Sequence, residues 1–146
     1  MKQTIVYLLL LSGTLFAQSK PDVVLDERNH IYWQDNTESA QSSEDWEDAL
    51  SYCQTLTLDG LQGWRLPTFR ELLSIVDFGR VNPAVLRVFA HTAEGTYWTS
   101  TPFAANVSRA WTIDFRSGVT YYSYKSTNHA MRCVKDVLEK TEKAPK

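Results

Sequence analysis

The stretch Arg109-Ala110-Trp111-Thr112-Ile113-Asp114-Phe115-Arg116-Ser117-Gly118-Val119-Thr120-Tyr121-Tyr122-Ser123-Tyr124-Lys125 decides the fold. Apolar and polar residues alternate on both sides of Ser117-Gly118, the pattern of two antiparallel strands joined by a tight turn. A two-residue turn there pairs Trp111 with Tyr124, Ile113 with Tyr122 and Phe115 with Thr120. These six share one face, mostly apolar. Thr112, Asp114, Arg116, Tyr121, Ser123 and Lys125 share the other, which is polar. A one-residue slip would mix the two sets, so the pattern specifies which face turns inward.

Working outward, Thr96 to Thr101 is aromatic and β-branched and reads as a further strand, limited by Pro102. Met131 to Val134 is expected to be the last strand, carrying Cys133. Upstream the period changes. Trp46, Ala49, Leu50, Cys53 and Leu56 recur at three- and four-residue steps, which predicts a helix over Glu44–Leu58 with Ser43 as its N-cap and Cys53 on the buried stripe. A second helix is expected over Phe69–Asp77, because Thr68 followed by Glu71 is a capping box. Asn82-Pro83 opens a short helical or turn segment through Val88. Near the start, Val23–Leu25 and His30–Gln34 flank a turn cluster and suggest an opening hairpin, with Asp35–Ser43 a polar loop. The sum is an α+β architecture, with two helices packed on a twisted antiparallel sheet.

The chain has 146 residues and a net charge of −2, with 43% hydrophobic and 12% aromatic residues. That composition suits one packed domain. Met1-Lys2-Gln3, the apolar run Ile5–Leu11 and the small residue Ala17 form the three-part pattern of a secretory signal peptide over residues 1–17. The run is too short for a bilayer span, which takes about 20 residues. The expected location is therefore periplasmic or extracellular, without stable membrane insertion. The domain is expected over residues 18–135 and a charged, flexible tail over 136–146.

Two cysteines, Cys53 and Cys133, are an even number in an exported chain, which points to one disulfide tying the first helix to the last strand. The alternatives are a metal site and a catalytic thiol. Cysteines so far apart, without a Cys or His neighbour in sequence, make a poor zinc site. Charge is also uneven. Residues 22–59 carry ten acids against Arg28 alone, whereas residues 60–135 carry nine bases against four acids. The later part can present a basic face to an anionic partner, or the two parts can neutralise each other where they meet.

Several motifs recur together: Trp33-Gln34, Ala49-Leu50-Ser51-Tyr52-Cys53, Gly63-Trp64-Arg65-Leu66-Pro67-Thr68 with Glu71-Leu72, Asn82-Pro83-Ala84, Tyr97-Trp98-Thr99-Ser100-Thr101, Ala110-Trp111, Phe115 with Gly118, and Arg132-Cys133-Val134. In this order they resemble the Lcl C-terminal domain family, over roughly residues 22–135. The resemblance implies a C-type lectin-like fold, an exported bacterial protein and a binding rather than catalytic role. A described relative is an adhesin for sulfated glycosaminoglycans. It trimerises through a collagen-like stalk for which this chain has no Gly-X-Y sequence.

The expected function is thus an exported, non-enzymatic binding module for an anionic polysaccharide or a surface protein, without a nucleic-acid partner. Arg109, Arg116, Tyr121, Lys125 and Arg132 are its candidate ligand-binding residues, because arginine suits planar sulfate or carboxylate groups and tyrosine offers a ring with a polar tip. Trp64, Arg65, Leu66, Pro67, Thr68, Glu71, Trp98 and Trp111 are read as structural, with Arg65 pairing an acid. A competing class is a structural or assembly subunit of the envelope. The Arg65–Thr68 element also resembles formylglycine-generating enzymes, but their chemistry needs a close reactive cysteine pair. No calcium-lectin tripeptide and no nucleophile–histidine motif occurs, so no metal, cofactor or catalytic residue is expected.

Overall fold

The computed structural model describes residues 21–138. The expected signal peptide and residues 139–146 of the expected tail lie outside them. Eight strands and three short helices follow in the order β1 (Val23–Asp26), β2 (Ile31–Gln34), α1 (Glu38–Gln41), β3 (Ser43–Glu44), α2 (Trp46–Thr55), α3 (Phe69–Ser74), β4 (Thr96–Pro102), β5 (Arg109–Asp114), β6 (Val119–Tyr124), β7 (His129–Ala130) and β8 (Val134–Asp136). The chain is α+β. Its strands form two sheets, one ordered β1-β2-β8 and the other β3-β7-β4-β5-β6.

Two local signals act as the sequence implies. Thr68 accepts from the Glu71 N–H while the Glu71 carboxylate accepts from the Thr68 N–H at 2.7 Å, closing the capping box of α3. The β1–β2 hairpin puts Ile31 and Trp33, alternate residues of β2, into the core at 2% and 0% exposure. The helix carrying Cys53 is shorter than expected and starts later. Asp45 caps it, accepting from the Asp48 N–H at 3.0 Å. It is also the second helix, because the polar segment after β2 winds into the single turn α1. Asn82–Val88 is non-helical, with a bend at Asn82-Pro83, an isolated bridge from Val85 to Val76 and a turn at Arg87-Val88.

The hairpin register needs correction. Asp114 pairs with Val119, Ile113 with Thr120 and Trp111 with Tyr122, two residues from the expected register. Asp114 explains the shift. Its carbonyl accepts from the Gly118 N–H at 2.7 Å and its carboxylate from the Arg116 N–H at 2.9 Å, so Phe115–Gly118 forms a four-residue loop. A two-residue shift preserves the period of two, so face membership survives. The polar face is solvated only on β6, where Tyr121 is exposed. On β5, Ala110, Thr112 and Asp114 are all buried, on the side of the sheet where Ala110 packs with Trp46, Trp98 and Met131.

The end of the chain also differs. Of the expected strand Met131–Val134 only Val134 is in a strand, and Cys133 sits in the irregular link immediately before β8. The disulfide to Cys53 spans 5.5 Å between Cα atoms and ties α2 to that link. By closing a loop of 80 residues it contributes about 4–5 kcal/mol in the chain-entropy account. Asp136, the first residue of the expected tail, belongs to β8.

Two apolar clusters fill the domain. One joins Trp33, Leu72, Ile75, Tyr97, Ile113, Phe115 and Val134. The other packs Trp46, Trp64, Leu66, Trp98 and Met131 around the disulfide. Each indole N–H of that second cluster reaches a backbone carbonyl: Trp46 that of Thr99, Trp64 that of Leu61 and Trp98 that of Glu44. Burying three indoles is favourable only because those donors are satisfied.

Candidate functional site

The five residues proposed as a ligand surface do not form one. Arg132 is fully buried. Its guanidinium donates to the Gln34 carbonyl at 2.7 Å, to Asp35 at 3.0 Å, to Thr92 Oγ1 at 3.0 Å and to the His91 carbonyl, and lies 4.6 Å from the Phe89 ring centroid. Asp35 in turn accepts from the backbone N–H groups of Ala90 and His91. The pair thus ties the end of β2 to the 89–92 segment, and Arg132 is excluded as a surface contact. The cause is the link between β7 and β8, which carries Arg132 through the core.

Arg116 is exposed but engaged. Its Nη2 lies 2.5 Å from Asp114 Oδ2, and its Nε contacts both carboxylate oxygens at 3.0 Å. That contact holds the Asp114 carboxyl below the usual carboxylate range. Lys125 Nζ lies 3.8 Å from the centroid of the Trp46 ring, at the start of α2. Tyr121 is 56% exposed and points to the face of the sheet opposite Arg109. Arg109 therefore lies on the opposite face from Tyr121, while Arg116 and Lys125 are each engaged with a partner of their own.

Arg109 alone remains a candidate, in company the sequence did not single out. It pairs with Tyr124 across the β5–β6 ladder. Its guanidinium carbon lies 4.2 Å from the Tyr124 ring centroid and 5.4 Å from that of Tyr122, and its Nη2 donates to the Tyr124 hydroxyl at 2.6 Å. Phe103 stacks on Tyr122 at 4.0 Å with an interplanar angle of 10°. Trp111 meets Tyr122 edge-on at 5.9 Å and is backed by Phe69 and Phe103 at 5.1 and 5.4 Å. The result is an aromatic shelf on one face of the sheet. Tyr122 and Tyr124 remain 44% and 52% exposed.

The shelf exists because β6 is an edge strand. Same-face tyrosines on this strand have side-chain neighbours on one side only and stay half-exposed, so a pattern that reads as core becomes surface. Three tyrosines in one strand, where Val or Ile would fill a core as well, were the signal available. No carboxylate among the described residues forms an ion pair with Arg109; the four ion pairs are Arg65–Glu71, Arg65–Asp136, Arg116–Asp114 and Arg132–Asp35. A guanidinium held on rings without a counter-ion can take a planar anionic group by paired hydrogen bonds while the rings take apolar surface.

The motif around Arg65 serves the scaffold. Its two Nη atoms hold both Glu71 oxygens at 2.8 Å, and Nη2 reaches Asp136 at 2.7 Å. Burial pushes the Glu71 carboxyl up, but the Arg65 guanidinium and the Thr68 N–H outweigh it and hold that carboxyl below its usual range. Glu71 and Asp136 raise Arg65 correspondingly, Glu71 first. Arg65 and Val134 exchange backbone hydrogen bonds at 2.8 Å each way, so the motif extends the small sheet past β8. Pro67 and Leu66 are buried. Trp98 is fully buried, and Trp111 lies half-buried beneath the shelf.

Sequence comparison matches the Lcl C-terminal domain over residues 22–135. The chain belongs to the Lcl C-terminal domain family. The match begins just before β1 and ends inside β8, so it spans both sheets, the disulfide and the shelf. A search of curated proteins finds no match. Among the described residues no group of three His, Cys, Asp or Glu side chains is placed to hold a metal ion, and no helix is long and apolar enough to cross a membrane.

Proposed function

We propose that the domain is an exported, non-enzymatic binding module that recognises an anionic glycan, with the Arg109–Tyr122–Tyr124 shelf as its contact surface. The observation that carries this reading is the guanidinium of Arg109 stacked on Tyr124 without a carboxylate partner, beside half-exposed rings. Sugar rings present C–H faces to aromatic side chains, and sulfate or carboxylate substituents match the guanidinium fork. The family resemblance supports a C-type lectin-like scaffold. The disulfide and the leader pattern support a periplasmic or extracellular location. Formylglycine-type chemistry is disfavoured, since both cysteines are consumed in that disulfide and no free thiol remains.

The test is retention on immobilised heparin against a salt gradient. The oxidised protein elutes at higher salt than an unrelated domain of similar net charge. Arg109→Ala and Tyr122→Ala shift elution to lower salt, whereas Arg116→Ala leaves it unchanged. No retention of the wild-type protein, or an equal shift for Arg116→Ala, sinks the shelf assignment.

A second reading, an assembly subunit of the envelope, draws on a different patch. Phe78 and Val81 stand 73% and 76% exposed on the loop after α3. Phe78 approaches Gly118 of the β5–β6 loop so closely that a Cβ there would meet its ring at 3.3 Å and Val76 Cγ1 at 2.6 Å.

A further inference from the structure

Each sheet edge in this fold but one carries a device against pairing with another strand. On the small sheet, Val134 of β8 is bridged by Arg65. The opposite edge, β1, is four residues long and bounded by Asp22 and Asp26. Antiparallel self-pairing centred on Val24 would set Asp22 of one copy against Asp26 of the other. On the large sheet, β3 is only two residues long. The remaining edge is β6, Val119–Tyr124. It is six residues long and has no charge, proline or bulge. Its inner side bonds β5. From Thr120 to Ser123 no backbone hydrogen bond leaves the other side among the described residues.

We propose that β6 pairs antiparallel with β6 of a second copy of this chain, joining the two large sheets edge to edge. Self-pairing must match faces, so odd positions oppose odd and even oppose even. Centred on Tyr122, it sets Tyr122 against itself, Tyr121 against Ser123, Thr120 against Tyr124 and Val119 against Lys125. Centred on Tyr121, it sets Thr120 against Tyr122 and Val119 against Ser123. Neither register opposes two like charges, and both place aromatic or β-branched residues across the junction, the pairs that stabilise sheets. The contact is isologous, so it closes as a dimer and leaves only the two-residue β3 strands as large-sheet edges. With the two-fold axis normal to the sheet, both shelves lie on the same side. One polymer could then engage two Arg109 sites, although the dimer does not depend on the glycan reading.

Sedimentation of the oxidised protein across a concentration series tests the dimer. The expected result is a shift from monomer to twice that mass below about 1 mM, a weak limit for a specific contact of this size. The double substitution Val119→Lys with Tyr121→Lys charges the edge on the face opposite the shelf. It should hold the protein monomeric with an unchanged thermal midpoint and unchanged affinity for a short heparin oligosaccharide. Should that variant misfold, hydrogen exchange on the unaltered protein serves instead, with protection of residues 119–124 rising with concentration. A wild-type protein monomeric at every concentration overturns the proposal, as does a dimer that survives the double substitution or protection independent of concentration. Loss of heparin retention with the dimer intact overturns only the shelf.

Discussion

Arg132 and Arg109 are the same side chain put to opposite uses within the same fold. Arg132 crosses the core, where Asp35, two carbonyls and the Thr92 hydroxyl leave it fully desolvated. Arg109 begins β5, inside the large sheet, with its guanidinium against the rings of the edge strand β6 and no carboxylate partner among the described residues. Stripping water from a guanidinium is costly, and Arg132 offsets it through both Nη atoms, Nε alone having no partner among the described residues, so losing Asp35 leaves a charge stranded. The Arg109 guanidinium is only half-buried, with Nη2 on the Tyr124 hydroxyl and Nε covered without a partner, so it is not fixed by a counter-charge. The contrast teaches that partner count and burial, rather than residue type, separate structural arginines from candidate binding ones.

The largest effect should come from breaking the buried side. Asp35→Ala strands Arg132 and should cost about 3–5 kcal/mol, read as a lowered urea midpoint. Arg132→Met, which removes the charge itself but still strands Asp35, should cost a similar amount. A loss under about 1 kcal/mol in both would erase the distinction drawn here. The half-exposed Arg65–Glu71 pair lies between the extremes. Glu71→Gln weakens the capping box and the paired hydrogen bonds together and should cost about 1–2 kcal/mol.

Acid provides an independent reading of the same intermediate case. Glu71 and Asp114 both titrate below their usual range in the folded protein. Their stabilisation is therefore complete at pH above the ordinary carboxylate range and is lost as pH falls through the lowered folded values. Unfolding measured between pH 6 and pH 2 should show that loss, and Glu71→Gln should flatten part of it. A stability that rises on acidification would contradict the assignment. The smallest stability change belongs to the shelf. Arg109→Ala should alter the urea midpoint little while shifting heparin elution, the reverse of Asp35→Ala, and a stability loss matching Arg132→Met would make Arg109 structural.

Much of this division is visible in residues read along the chain, and its failures have specific causes. The capping box at Thr68–Glu71 and the alternation of Ile31 and Trp33 depend on neighbours within a few residues, so local pattern suffices. The hairpin faces were legible from alternation, but the register was not. The side chain of Asp114, bonding Arg116, favours a longer loop than Ser117-Gly118 alone suggests. Arg132 looks like any basic residue beside a strand. Only contacts with Asp35 and His91, 97 and 41 residues away in sequence, show that it is buried. Tyr122 and Tyr124 failed in the opposite sense, since alternation marks a face but cannot say whether another strand covers it.

The sequence by itself determined the α+β class, the family, the Cys53–Cys133 link and which residues of the β5–β6 hairpin share a face. Those follow from short-range periodicity, capping chemistry, motif order and a count of two cysteines. The tertiary structure alone decided which faces water can reach and which charges meet. Burial and ion pairing depend on strands brought together from distant parts of the chain, and that proximity leaves no local trace. It made Arg132 a core residue, tied Arg116 to Asp114, and left Arg109 against the tyrosines of the edge strand without a carboxylate partner among the described residues.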